Sequence, residues 1–156
     1  MSEHKATIHW ECKGADFAAG KYSREHTWVF DGGVTVPASP SPSIVPAPFS
    51  NPAHVDPEEA FVASVSSCHM LTFLYVASKE GFQVNRYDDE SVGHMTKNQL
   101  GVPWISLVTL NPRIVFGGAR TPTSEQEAHL HHLAHDQCFI ANSIKTEVRV
   151  GENLRS

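Results

Sequence analysis

Residues 6–12 alternate, with Ala6, Ile8, Trp10 and Cys12 on one side and Thr7, His9 and Glu11 on the other, the period of a half-buried strand. Arg24 to Phe30 reads as a second strand with Trp28 and Phe30 on a common side. Asp31-Gly32-Gly33 tolerates positive φ and turns the chain back into Val34 to Val36, making a hairpin. The stretch 37–57 holds seven of the ten prolines. Proline's fixed φ and missing N–H exclude regular helix or central strand there, so a long loop is expected, of the kind that serves as a lid or interface segment.

A long helix follows. Asp56 suits its cap, Pro57 its first position, and Glu58 and Glu59 the positive end of its dipole, while Gly81 supplies a stop after Lys79 and Glu80. Some 23 residues at about 1.5 Å each give roughly 35 Å. With apolar side chains on nearly every side, this is expected to be the central, mostly buried element. Phe82 to Tyr87, Ser91 to Lys97 and Trp104 to Phe116 read as strands, with Pro112 at a bulge or edge. Thr123 with Gln126, or Ser124 with Glu127, opens a second helix through about Asn142, and Ile144 to Val150 closes the chain as a strand. Strands, long helix, strands, helix and strand in that order predict an α+β fold of a single domain over 1–156.

Composition narrows the function. Twelve Lys and Arg against seventeen Asp and Glu give a net charge of −5, the opposite of the basic surface that nucleic acid requires. Ala60 to Ala77 is apolar at thirteen of eighteen positions, yet Ser64, Ser66, Ser67, His69 and Thr72 suit it to a protein interior rather than lipid. The opening MSEHKATIHW has no basic stretch followed by an apolar one, so a cytoplasmic protein is expected. Three scattered cysteines would remain thiols there.

Those thiols are the candidate chemistry. Cys68 stands mid-helix in VSSCHML and Cys138 near the end of the second helix in HDQCFIANSI. Buried cysteine ordinarily acts as a small hydrophobe, but Ser64 and Thr72, one helical turn either side of Cys68, offer hydroxyl donors to a thiolate. Cys12 lacks such surroundings and reads as a packing residue. Glu58 and Glu59 have a capping role by default. Arg24 is the only arginine before Arg86, and an arginine beside a buried thiol favours the thiolate. Ten histidines are many for this length. His131, His135 and Cys138 share a helical face, so metal binding and a pH-sensitive face both stay open, although a fourth metal ligand is missing. A cysteine hydrolase fits poorly, because Cys68 lies inside a helix with no oxyanion site beside it.

The segment VDPEEAFVASVSSCHMLTFLYVASKEGF, with its Asp-Pro-Glu-Glu start and a cysteine ten residues after the first glutamate, resembles the central helix of the OsmC/Ohr family of bacterial hydroperoxide reductases. HDQCFIANSIKTEVRV resembles that family's second cysteine motif and closing strand, and LNPRIVF is similar to its pre-helix strand. His69 after the first cysteine and the proline-rich stretch depart from the pattern. The resemblance implies an intertwined α+β homodimer with two interfacial sites. In each, Cys68 would be the peroxidatic cysteine, Cys138 the resolving one, and Arg24 and Glu58 the pair that orders thiolate and peroxide. It implies organic hydroperoxide substrates, no cofactor, and a dithiol reductant such as a lipoyl protein or small thiol; Val65, Leu71 and Phe61, apolar helix neighbours of Cys68, are expected to line the substrate pocket. Glu58 and Cys68 are about 15 Å apart along one helix and roughly 80° apart around it, so a shared site would draw Glu58 from the partner subunit. The rival reading is a non-catalytic ligand- or metal-binding module on the same fold.

Overall fold

The computed structural model describes residues 1–14 and 16–151. Two compact units emerge, Met1–Ala60 and a second beginning at Phe61. In the first, β1 (Ala6–His9), β2 (His26–Phe30) and β3 (Thr35–Ala38) form an antiparallel sheet in that order. The turn at Asp31-Gly32-Gly33 joins β2 to β3. β1 is shorter than the alternation predicts, ending where His9 pairs with Thr27, one residue inside the start of β2 at His26. All four β1 residues are exposed, and so is Cys12, which packs no core. β3 includes Pro37, tolerable because β3 is an edge strand; Pro37 accepts from the Val55 N–H at 3.1 Å.

The long helix, α1 (Pro57–Lys79), begins in the first unit and continues into the second. Asp56 Oδ1 accepts from the Glu59 N–H at 2.7 Å, and Glu59 Oε2 accepts from the Asp56 N–H at 3.2 Å, a reciprocal cap. At the other end Gly81 takes φ +79°, which lets the Phe82 N–H return to the Ala77 carbonyl at 2.9 Å.

The second unit continues with β4 (Gln83–Asp89), β5 (Val92–Lys97), β6 (Pro103–Leu110), β7 (Pro112–Gly117), α2 (Ser124–Gln137), a 3₁₀ turn (Ala141–Ser143) and β8 (Glu147–Val150). β4 pairs with β7, and β5, β6 and β8 form a sheet in which β6 and β8 run parallel. The run expected as one strand from Trp104 to Phe116 is two strands in different sheets. They part at Asn111, whose N–H donates to Asp89 Oδ1 at 2.6 Å.

Phe73, Val76 and Ala77 of α1 pack with Phe82, Leu130 and Ala134, and Val65 packs with Val108 and Leu110. A fully buried Phe or Leu contributes about 1.5–3 kcal/mol. Gly93 of β5 lies so near α1 that a Cβ there would meet Val62 Cγ2 at 2.6 Å. The helix is less buried than its apolar composition predicts: Ser64, Ser67, Leu71, Tyr75 and Ser78 form an exposed stripe, with Leu71 61% and Tyr75 57% exposed. By length and composition α1 would pass as a membrane span. Its polar groups nonetheless meet protein partners, since Ser66 donates to Asp89 and His69 bonds to His131.

Candidate functional site

The two cysteines of the second unit meet. Cys138 caps α2, whose expected extension to Asn142 stops at Gln137 because Cys138 adopts extended backbone at φ −70°, ψ 116°. The Cys138 thiol donates to Cys68 Sγ at 2.8 Å, and both cysteines are free. The Ile140 N–H also donates to Cys68 Sγ at 3.5 Å, and the Ala141 N–H to Cys138 Sγ at 3.4 Å. Asn142 Nδ2 donates to the carbonyls of Asp136 and Cys138, each at 2.9 Å, and holds this turn in shape. The segment Cys138-Phe139-Ile140-Ala141-Asn142 is thus a frame that aims two backbone donors at two sulfurs.

The sulfurs are not equivalent. Cys138 is buried and Cys68 only half-buried. Burial above all, and then the hydrogen bond to Cys68, push the Cys138 thiol up from its ordinary range. Cys138 therefore holds its proton and donates it, while Cys68 collects donors. The expected hydroxyl support is absent: Ser64 Oγ donates to the Phe61 carbonyl at 2.8 Å and Thr72 Oγ1 to the Cys68 carbonyl at 2.9 Å. Helical geometry puts those carbonyls nearer than the sulfur.

Cys68 opens onto a cavity of about 930 Å³ lined by Leu71, Thr72, Tyr75, Gln137, Phe139 and Asn142, together with Ser64, Ser67 and Asp136. Of the apolar residues expected there only Leu71 takes part. Val65 is fully buried in the core and Phe61 packs against it, because both lie on the face of α1 turned toward β6. Phe139, 83% exposed, and Asn142 complete the site. Asn142 lies within the segment that resembles the second cysteine motif, four residues after Cys138.

Arg24 and Glu58 come together in the first unit, lining a cavity of about 560 Å³. Glu59 does the capping, which leaves Glu58 to the cavity. Arg24 donates from Nη1 to the Tyr22 carbonyl at 2.9 Å and from Nη2 to the Gly20 carbonyl at 3.3 Å, and its guanidinium lies 4.0 Å from the centre of the Tyr22 ring.

A second pair joins α1 to α2. His69 Nε2 and His131 Nδ1 are 3.0 Å apart, with nearly parallel rings 5.3 Å between centres, and both residues are buried. Burial, then the nearby His135, lowers His69 to about 4; burial, then His69, lowers His131 to about 3; Asp89 opposes both shifts. The pair is neutral near pH 7. His131 faces His69, and Cys138 lies beyond the end of α2, so the helical face expected to carry His131, His135 and Cys138 is not formed. Among the described residues no group of three or more His, Cys, Asp or Glu side chains is placed to hold a metal ion.

Residues 50–153 match the OsmC-like protein family. The chain is 51% identical to an OsmC-like protein of unknown function from Vibrio cholerae, whose solved structure superposes with a TM-score of 0.93, covering 97% of this chain and 99% of that one. An organic hydroperoxide resistance protein OsmC from Legionella pneumophila shares the fold at 17% identity and TM-score 0.70, covering 96% of each chain. The organic hydroperoxide resistance protein OhrB of Bacillus subtilis does so at 18% identity and 0.67, covering 99% of this chain and 98% of its own. No curated protein matches in sequence. By the family match over two thirds of its length and by its Vibrio relative, this chain with its paired cysteines belongs to the OsmC-like family.

Proposed function

We propose that the protein is a cysteine-based peroxidase that reduces organic hydroperoxides. The observation that carries this reading is the 2.8 Å sulfur pair, in which a buried, proton-holding Cys138 supports a half-buried Cys68 at the mouth of an apolar cavity. The Cys68 thiolate attacks the distal peroxide oxygen. The O–O bond breaks, and the leaving alkoxide takes up a proton and departs as alcohol. Cys68 becomes a sulfenic acid; Cys138 attacks its sulfur, water leaves, and a disulfide closes. An external dithiol restores both thiols by exchange, and no cofactor enters the cycle.

With Cys12 replaced, one equivalent of cumene hydroperoxide should remove both remaining free thiols per chain and link the peptides that carry Cys68 and Cys138. A chain that keeps both thiols is no peroxidase, and the binding-module reading would take its place.

The exposed stripe of α1 and Phe139 favour pairing of two chains. In this homodimer Arg24 and Glu58 of one subunit serve the sulfur pair of the other, where the guanidinium stabilises charge developing on the peroxide. Co-expressing a Glu58→Ala chain with a Cys68→Ser chain should then restore about one working site per heterodimer. Verified heterodimers without activity would refute the shared site.

A further inference from the structure

The cavity of the first unit contains more than Arg24 and Glu58. Its wall holds three aromatic rings that no sequence motif singles out: Phe17 and Tyr22 stack with centres 4.6 Å apart, Trp10 meets Tyr22 edge-on at 5.6 Å, and Trp10 lies 6.0 Å from Phe17. All three are held in place. Trp10 Nε1 donates to the Ser23 carbonyl at 3.0 Å, Tyr22 lies under the Arg24 guanidinium, and Phe17 rides on a turn closed by pairing of Asp16 with Lys21. Yet Phe17 is 55% and Trp10 41% exposed. Aromatic surface facing water in a concave site is the chemistry that receives another ring, because stacked and edge-on contacts add to apolar burial.

We infer that Trp10, Phe17 and Tyr22 form the binding wall for an aromatic ring, and that ring-bearing hydroperoxides are the preferred substrate class. The inference rests on the hydroperoxide reading for its kinetic consequence, but the binding wall can be tested without turnover. A ring on this wall leaves the polar end of the molecule to Arg24 and Glu58, the charged residues of the same cavity.

The binding test uses full-length Cys68→Ser protein, which cannot turn over, and 2-phenylpropan-2-ol, the alcohol left by cumene hydroperoxide. In ¹H–¹⁵N spectra the Trp10 indole resonance, assigned with Trp10→Phe, should move on titration, and Phe17→Ala should weaken the affinity about tenfold. Shifts confined to residues around Cys68 and Phe139, or none up to saturation of the alcohol, would overturn the inference. The kinetic test compares cumene and tert-butyl hydroperoxides, which share a tertiary reacting centre and differ by a phenyl in place of a methyl group. The kcat/KM ratio should favour cumene hydroperoxide about tenfold or more, and Phe17→Ala should bring it close to unity. An unchanged ratio in Phe17→Ala would overturn the wall. Absence of turnover with both peroxides would instead refute the peroxidase reading and leave the binding result to decide.

Discussion

Replacing Cys68 by Ser should lower hydroperoxide consumption to the uncatalysed rate, whereas replacing Cys138 by Ser should leave one equivalent consumed per chain and abolish every later turnover. The asymmetry follows from the hydrogen bond. Cys138 is the donor and Cys68 the acceptor, and burial holds the Cys138 proton in place. Only Cys68 is therefore prepared to attack an oxygen while both thiols are reduced. Once Cys68 is a sulfenic acid its sulfur is the electrophile, and Cys138, within hydrogen-bond distance of it, is the thiol placed to attack. Serine at 138 keeps an O–H donor near Cys68 but cannot close a disulfide. Mass spectrometry after one equivalent of peroxide should show Cys138→Ser chains heavier by one oxygen and unsubstituted chains lighter by two hydrogens. Repeated turnover by Cys138→Ser under a dithiol would remove the resolving role. Consumption by Cys68→Ser would reverse the assignment.

Acid should loosen the second unit before the bulk of its carboxylates protonate. His69 titrates at about 4 and His131 at about 3 in the folded chain, against about 6.5 unfolded. Both folded values are depressed, so the unfolded chain binds protons that the native pair refuses. The stability from keeping these imidazoles neutral is fully present above pH 6.5 and is lost as pH falls through 4. For one histidine the slope is up to about 1.4 kcal/mol per pH unit, on the order of 3 kcal/mol across the window. The second adds less than a full share, because the rings share one hydrogen bond. Asp89 and His135 act on His69 with opposite signs. Urea unfolding between pH 7 and 4 should show this decline, and the double change His69→Phe/His131→Phe, which removes both partners together, should flatten it. Equal pH slopes in the two proteins would mean that the pair is not the acid-sensitive element.

Local chemistry was plain along the chain wherever neighbours in sequence are also neighbours in space. The cap at Asp56 and Glu59, the Gly81 stop and the Thr123–Gln126 box each lie within a single turn, and all three formed as their residues predict. The turn at Asp31-Gly32-Gly33 joins its two strands for the same reason. The fold departs from the local pattern where a distant partner decides. The alternation over residues 6–12 is continuous, but β1 stops when β2 no longer faces it. The apolar run around Asn111 is continuous too, but Asp89 captures the Asn111 N–H and splits it between two sheets.

The site divides in the same way. Sequence by itself supplied the candidate residues: two cysteine segments with family resemblance, an Asp-Pro-Glu-Glu helix start and one early arginine, because residue identity and short spacing are properties of the chain alone. Tertiary structure decided what those residues do to one another. It set Cys138 as donor and Cys68 as acceptor, sent the Ser64 and Thr72 hydroxyls to carbonyls, paired His69 with His131 across 62 positions, and gathered Trp10, Phe17 and Tyr22 around Arg24. Hydrogen-bond direction, burial and ring packing depend on distances of a few ångströms between groups far apart in sequence, and only the folded backbone supplies those distances.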